Sequence, residues 1–264
     1  MHMGHAYAAM CAYNWARLTG GRFLLRIEDI DRPRCRLEYE DAILEDLEWL
    51  GLHWDGPVLR QSGRLDHYAE ALVRLKDMGV TYPCFCTRKQ IAAEIAAAGA
   101  APHGPDGPLY PGTCRGLGAD AGGREGAAIR LDSARAARIV GRLTFRDGRL
   151  GDFDVDPCLF GDAVIARRDI GTSYHLACVV DDAFQGVTMV TRGEDLLPST
   201  HLQRVLQALL GLPEPQYGHH RLVKDPEGRR LAKRDQGITI RDMREAGITR
   251  KQVLDWAEAF AGHD

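Results

Sequence analysis

The chain of 264 residues is long enough for one large domain or two small ones, and at 45% apolar and 27% charged residues it has an ordinary globular composition. No apolar run approaches the length needed to cross a bilayer and no basic-then-apolar leader opens the sequence, so a cytoplasmic protein without a membrane partner is expected. A net charge of −3 does not announce a nucleic-acid binder, although phosphate binding depends on local patches and not on the total.

Residues 5–18 predict an alanine-rich helix closed by Gly20-Gly21. Phe23-Leu24-Leu25-Arg26-Ile27 then predicts a buried strand running into the acidic Glu28-Asp29-Ile30-Asp31. A helix over 37–50 places Ile43, Leu47 and Leu50 on one stripe, with Gly51 where a C-terminal cap belongs. Another, over about 65–78, groups Leu65, Tyr68, Leu72 and Leu75. This alternation points to an α/β fold with a parallel, doubly wound sheet. The pattern breaks between about 80 and 128, where the Gly- and Pro-rich stretch 99–126 is too long for a simple connection and reads as an inserted subdomain. His175-Leu176-Ala177-Cys178-Val179-Val180 and Val187-Thr188-Met189-Val190-Thr191 predict two buried strands. A helix over 199–210 follows, with Leu202, Val205, Leu206 and Leu209 inward and Gly211 as its stop, and the tail over about 235–262 is helical. Basic residues thicken in the C-terminal third, from His219 to Lys251, where the plain reading is a solvated helical surface.

Two basic signatures carry the chemistry. His2 and His5 flank Gly4 and lead into the first helix, whose N-terminus favours an anion; imidazoles three residues apart there can donate to phosphate oxygens. Lys233, in Arg230-Leu231-Ala232-Lys233-Arg234 between Gly228 and Gly237, sits in a polar loop able to close over such a site. Arg192 has the geometry to grip a carboxylate through two parallel hydrogen bonds, its alternative being a structural ion pair with Glu194 or Asp195. Glu28 is either a ligand for a cation or a surface acid beside Arg26 and Arg32.

Seven cysteines without an export signal argue against a disulfide framework, and Cys11, Cys35, Cys158 and Cys178 read as buried small residues. Cys84, Cys86 and Cys114 differ. Three thiolates at one point repel unless a cation neutralises them, and Zn²⁺ is the usual choice, one per chain and structural. The fourth ligand of such sites is usually a Cys or His, and on chemistry alone the candidate is His103.

Together these signatures resemble class I aminoacyl-tRNA synthetases. His2-Met3-Gly4-His5 is similar to the HIGH motif and Arg230–Arg234 to a degenerate KMSKS loop, with Ala232 replacing the usual small hydroxyl residue. Arg26–Asp31 and Val190–Leu196 resemble the glutamyl/glutaminyl branch, and Val179–Thr188 narrows the likeness to its truncated paralogues, the glutamyl-Q tRNA(Asp) synthetases. The likeness implies a Rossmann-like catalytic domain (1–79 and 129–211) with an inserted zinc-binding, acceptor-type subdomain (80–128). A loop and helical stem-contact region (212–264) completes it. It implies His2, Gly4, His5 and Lys233 around ATP, with His2, His5 and Lys233 catalytic. Glu28, Tyr174 and Arg192 then hold L-glutamate, and Tyr110 is the fourth zinc ligand. Mg²⁺ accompanies ATP, and the RNA partner is the tRNA(Asp) anticodon stem-loop carrying queuosine, bound by a monomer.

In the same family a strand reading roughly R-F-A-P-S-P-T-G precedes the HIGH motif, and full-length glutamyl-tRNA synthetases continue into an anticodon-binding domain. Neither is expected in this chain. Two rival readings follow, a glutamyl-tRNA ligase without its anticodon domain and a non-catalytic zinc-stabilised RNA-binding remnant.

Overall fold

The computed structural model describes residues 1–97, 102–117, 126–223 and 238–261. Helix α1 (Met3–Leu18), capped by His2, starts two residues before the expected start and turns out through Gly20 in the left-handed region (φ 66°). Strand β1 is short: of Phe23–Ile27 only Arg26–Ile27 enters a ladder, parallel to β2 (Leu59–Arg60), with helix α2 (Leu37–Leu50) between them. The residues before it are nonetheless tied to the same neighbour, since the Asp55 N–H donates to the Phe23 carbonyl (2.7 Å) and the Leu59 N–H to the Leu25 carbonyl (3.1 Å). α2 carries Glu38 and Glu40 in its first turn, where the helix dipole favours acids, and closes on Gly51 in the left-handed conformation (φ 74°). Helix α3 (Leu65–Asp77) buries Tyr68, Ala71 and Leu75, but Leu65 is exposed and not part of the expected stripe.

Strand β3 (Thr81–Cys84), helix α4 (Arg88–Ala97) and the small hairpin β4–β5 (His103–Gly104, Gly107–Pro108) follow. β6 (Ala128–Leu131) pairs antiparallel with β3 and later with β9 (Val164–Ala166). Between them lie α5 (Ser133–Val140) and the antiparallel hairpin β7–β8 (Thr144–Asp147, Gly151–Asp154).

Residues 175–180 form no strand; they lie in helix α6 (Tyr174–Gln185). Ser173 caps its start, Gly186 ends it in the left-handed conformation (φ 65°), and Leu176, Ala177, Cys178 and Val179 are all buried. A short contiguous apolar run such as Leu176–Val180 cannot be told from a core strand by periodicity alone. Strand β10 (Met189–Gly193), helix α7 (Leu197–Leu210) and β11 (Gln216–His220) complete the sheet β10–β11–β7–β8, parallel except for its last pair. Helices α8 (Ile240–Glu245) and α9 (Arg250–Ala261) close the described chain, α9 packing on α1 and α2. The sheet is thus mixed and in separate pieces, where one parallel sheet was expected.

Two apolar cores support this arrangement. One joins Met3, Ala6 and Met10 of α1 to Leu47 and Leu50 of α2, Val223, Ile240 and Val253. The other joins α3, α5, α6 and α7 through Leu75, Ala136, Leu176 and Val205. Between β1 and β10 runs a groove of about 550 Å³, lined among others by Ala12, Leu24, Arg26, Gln185 and Thr191. No strand of the described residues fills it.

Candidate functional site

The first turn of α1 stacks the two histidines, with ring centroids 3.6 Å apart. His2 Nδ1 accepts the Gly4 N–H (3.1 Å) and His5 Nδ1 accepts the His2 N–H (3.4 Å), a reciprocal capping box made of imidazoles. Because both Nδ1 atoms accept, each neutral ring carries its proton on Nε2. Tyr7, one turn on, meets His220 edge-on at 5.1 Å, and His220 pairs with Gly193 in the β10–β11 register. The histidine turn therefore lies beside the strand ends that carry Arg192.

Glu28, just beyond β1, accepts from Arg26 Nη2 (3.4 Å) and from the Cys178 thiol (3.4 Å) on a single oxygen, Oε1. The surface-acid alternative is thus half right, because Arg26 is its neighbour. Arg26 also donates to Asp182 (2.7 Å) and Gln185 (3.2 Å) of α6. Burial pushes the Cys178 thiol well up, as do the nearby Glu28 and Asp182 carboxylates, so it stays protonated and donates. Burial, then the neighbouring Cys178 and Glu28, likewise push up the Tyr174 phenol. Tyr174, Cys178 and Asp182 stand four residues apart and share one face of α6. The structure brings Glu28 and Tyr174 together across Cys178, a residue the sequence reading set aside as filler.

Arg192 is buried and points into the protein. Its Nε donates to His219 Nε2 (3.2 Å), Nη1 to Gln203 (2.7 Å) and Nη2 to Thr200 (2.5 Å). The ion pair with Glu194 does not form; Glu194 receives Arg149 instead (2.8 Å). Three of the five guanidinium N–H groups are used, which leaves one on each terminal nitrogen. His219 in turn bonds Asp147 through Nδ1 (2.6 Å), so its proton sits there and Nε2 is the acceptor facing Arg192. Burial raises the Asp147 carboxyl, but the Leu150, His219 and Arg149 N–H groups and the His219 ring outweigh it and hold the group below its ordinary value. Burial also lowers His219, with Asp147 opposing. The chain Asp147–His219–Arg192 is a buried relay that fixes the guanidinium, and sequence reasoning missed it because its members are far apart in the chain.

The three candidate cysteines converge. All three sulfurs lie within 4.8 Å of one another, and the Tyr110 hydroxyl is 3.5 Å from Cys84 Sγ, 3.4 Å from Cys86 Sγ and 2.9 Å from the Cys114 backbone nitrogen that donates to it. Cys84 and Cys114 are buried. His103 is exposed on β4 and outside the cluster. Burial opposes ionisation of Cys114, yet the Tyr110 hydroxyl, the Phe85 N–H and the other thiols bring it down to about 7. Three thiols and a phenol around one point fit a four-coordinate soft cation such as Zn²⁺. Arg115, next to Cys114, anchors this unit to buried Asp162 (2.8 Å), which Tyr82 and Ser133 also bond.

Lys233 and the rest of Arg230–Arg234 lie outside the described residues. The flanking Val223 and Ile240 are both buried in the core that includes Met3 and Ala6.

The sequence matches the family profile for tRNA synthetases class I (E and Q), catalytic domain, over residues 1–260. The chain belongs to this family. Curated relatives include the glutamyl-Q tRNA(Asp) synthetase of Rhodobacter capsulatus, 49% identical over 94% of this chain and 92% of the relative. That of Nocardia farcinica is 47% identical over 96% and 78%. Among solved structures, a glutamate tRNA ligase from Elizabethkingia meningosepticum in complex with its amino acid superposes with TM-score 0.73 at 30% identity. The match covers 89% of this chain but 50% of the ligase, so the chain spans about half the length of that structure. The likeness places an α/β class I catalytic domain beyond doubt, and no helix of the described residues is long and apolar enough to cross a membrane.

Replacing Cys178 with alanine removes the thiol that steadies Glu28 without opening the fold. The expected result is a several-fold rise in KM for the amino acid with kcat changed less, recovered by Cys178→Ser, whose hydroxyl can donate at the same place. Equal loss of both constants in both variants would count against the assignment. Acid should also weaken the fold in a defined window. His219 is lowered, and burial with nearby Arg192 brings His175 down to about 4, so the unfolded chain takes up these protons first and stability falls as pH drops from about 6.5 toward 4. Asp147, held low, adds its loss further down, as pH passes through its depressed value. Allowing for partial exposure, His175 contributes on the order of 1–2 kcal/mol, so Tm should fall by about 3–8 °C between pH 7 and 5. Scanning calorimetry across that range checks it, and His175→Leu should flatten the slope.

Proposed function

We propose that this chain activates L-glutamate with ATP and transfers the glutamyl group to the queuosine at the wobble position of tRNA(Asp). The observation that carries the reading is the 49% identity, over nearly the full length of both chains, to a protein named glutamyl-Q tRNA(Asp) synthetase. The cluster of Glu28, Tyr174 and Arg192 beside the histidine turn agrees with it.

Glu28 receives the substrate ammonium on the oxygen that Arg26 and Cys178 leave open, and the remaining Arg192 N–H groups and the Tyr174 hydroxyl meet its carboxylate end. A glutamate carboxylate oxygen attacks the α-phosphorus of ATP; the bond to the bridging oxygen breaks and pyrophosphate leaves. The Nε2–H groups of His2 and His5, with Lys233 from the KMSKS-like loop and the backbone at Gly4, stabilise the negative charge spreading over the phosphates. A cyclopentene hydroxyl of queuosine then attacks the carbonyl of the mixed anhydride and AMP departs, the hydroxyl proton passing to solvent. Mg²⁺ bound with ATP supplies charge neutralisation on the phosphate oxygens. No protein nucleophile is needed.

The cluster Cys84, Cys86, Tyr110 and Cys114 holds one structural Zn²⁺ in this reading. The stretch between Gly107 and Ala128 has few apolar side chains to bury, and a metal can replace the missing core. The division of the chain into catalytic halves around an insert at 80–128, and a working stoichiometry of one chain per tRNA, belong to the same proposal.

Pyrophosphate exchange dependent on glutamate, without RNA, tests the first step; transfer of labelled glutamate to queuosine-bearing tRNA(Asp), queuosine-free tRNA(Asp) and tRNA(Glu) tests the second. Labelling of the first substrate alone is expected. Labelling of tRNA(Glu) alone would sink the reading. For the metal, equimolar zinc by atomic absorption is expected, and Cys86→Ser or a strong chelator should raise hydrogen exchange across 84–117 while strands β10 and β11 stay protected. Zinc-free protein with unaltered exchange in that segment would remove the metal from the account.

A further inference from the structure

Arg192 is a buried cation held only by neutral groups. Its bonded N–H groups end on Gln203 Oε1, Thr200 Oγ1 and His219 Nε2, and its guanidinium lies over the Tyr217 ring at 5.6 Å. No carboxylate among the described residues pairs with it. Glu194 is taken by Arg149, Asp195 faces Gly193 and His220, Glu28 is held by Arg26 and Cys178, and Asp147 bonds His219. Gln203, itself buried, turns its carbonyl to Arg192, which leaves its amide Nε2 with no hydrogen-bond partner among the described residues. The shell therefore has surplus donors and surplus positive charge, and both are unfavourable when buried. An arriving carboxylate supplies what is missing. A carboxamide brings no charge and sets its own NH₂ group against donors.

The neutrality of this shell depends on Asp147. Its carboxylate receives four donors: the Arg149 N–H (2.9 Å) and Leu150 N–H (2.8 Å) on Oδ1, the His219 N–H (2.8 Å) and the His219 ring on Oδ2. With an acceptor at that place, the ring proton stays on Nδ1 and Nε2 faces the Arg192 Nε–H as a lone pair. The opposite tautomer would set one N–H against another. The interposed imidazole also keeps the Asp147 charge one ring away from Arg192, so no internal ion pair competes with a ligand.

We propose that Asp147 and His219 are positioning residues that make the amino-acid pocket select an anionic side chain over its amide. The proposal rests on the function above for glutamate being the amino acid activated. In that reaction the α-carboxylate must stay free to attack phosphorus, so the carboxylate gripped by Arg192 is that of the side chain. Neither Asp147 nor His219 touches the substrate; one fixes the tautomer and the other fixes the guanidinium.

The test is calorimetric titration of the full chain with glutamate and with glutamine, together with amino-acid-dependent pyrophosphate exchange. The variants are His219→Leu, which removes the acceptor, His219→Gln, which keeps a carbonyl for Arg192, and Asp147→Asn; melting curves verify folding. In His219→Leu the preference for glutamate over glutamine should contract by roughly tenfold to a hundredfold through a higher KM for glutamate, with KM for ATP within about twofold. His219→Gln should keep most of the preference. Nitrogen NMR of histidine-labelled protein gives a signature that lost packing does not produce: an imidazole protonated at Nδ1, missing from His219→Leu and shifted to the Nε2 form in Asp147→Asn. Should Asp147→Asn fail to fold, the two His219 variants decide. Unchanged preference in His219→Leu, equal weakening of both amino acids, a His219 ring protonated at Nε2 in the unaltered protein, or no glutamate binding by that protein would each overturn the proposal. Selective glutamate binding that is lost in His219→Leu, in a protein that transfers nothing to tRNA(Asp), would support the positioning role and reject the assigned reaction.

Discussion

Asp181 fixes the site without touching it. Its carboxylate is fully buried, and such a charge is tolerable only when donors surround it. Arg64 Nε (2.6 Å), the Tyr68 hydroxyl (2.6 Å) and Gln61 Nε2 (3.1 Å) supply them, all from α3 and the turn before it. The ring of Phe184, one turn along α6, covers the Arg64 guanidinium at 3.7 Å. These contacts set the rotation of α6 about its own axis. With Asp181 turned to α3, the face bearing Tyr174, Cys178 and Asp182 must turn to β1, and Asp182 then holds Arg26, which holds Glu28. Losing Arg64, the one cation among these donors, would leave a buried charge without a counter-ion, typically a cost of about 3–5 kcal/mol, and would loosen that rotation. Five residues, Tyr174, Cys178 and Asp182 of α6 with Arg26 and Glu28 at β1, thus take their positions from one buried acid.

What the sequence disclosed divides along the same helix. Two caps were readable: Gly51 and Gly211 end helices in the left-handed conformation, and glycine is the residue that adopts it without strain. The α2 stripe was readable. In α6 the run Leu176–Val179 is buried at every residue, and a short apolar run does not by itself separate a helix from a core strand, so a strand was expected. The cost of that error was functional as well as structural. A strand over 175–180 leaves Tyr174 and Asp182 outside it and puts Cys178 on a face with Leu176 and Val180, whereas the helix puts Tyr174, Cys178 and Asp182 on one face beside Glu28. The caps at Ser173 and Gly186 held the correction all along. The cysteine cluster, by contrast, was legible in full, because ligand chemistry constrains residue type more than backbone conformation does.

Arg192 shows how a residue singled out from sequence can be misread in geometry. From sequence it is a free fork for a carboxylate. In the fold, three of its N–H groups serve Gln203, Thr200 and His219, and Asp147 locks His219 in the tautomer that accepts. A guanidinium committed in this way has little rotamer freedom left to lose when a ligand arrives, and its remaining donors point in fixed directions. The rigidity costs three buried polar residues and an acid held below its ordinary range, which is the usual trade of stability for a preorganised contact.

The distribution of charge bears on binding more than the total of −3 does. Elsewhere on the molecule, arginines are matched locally: Arg241 and Arg244 share Glu45, Arg204 has Glu214, and Arg149 has Glu194. These pairs are electrically quiet at the distance of a Debye length, about 8 Å in physiological salt. Around Asp31 the matching takes the form of a shared network, in which Arg34 and Arg167 both reach Asp31 and Arg167 also bonds Asp169. A polyanion approaching from solvent therefore meets mostly local ion pairs, and short-range contacts, not the total charge, decide where it settles.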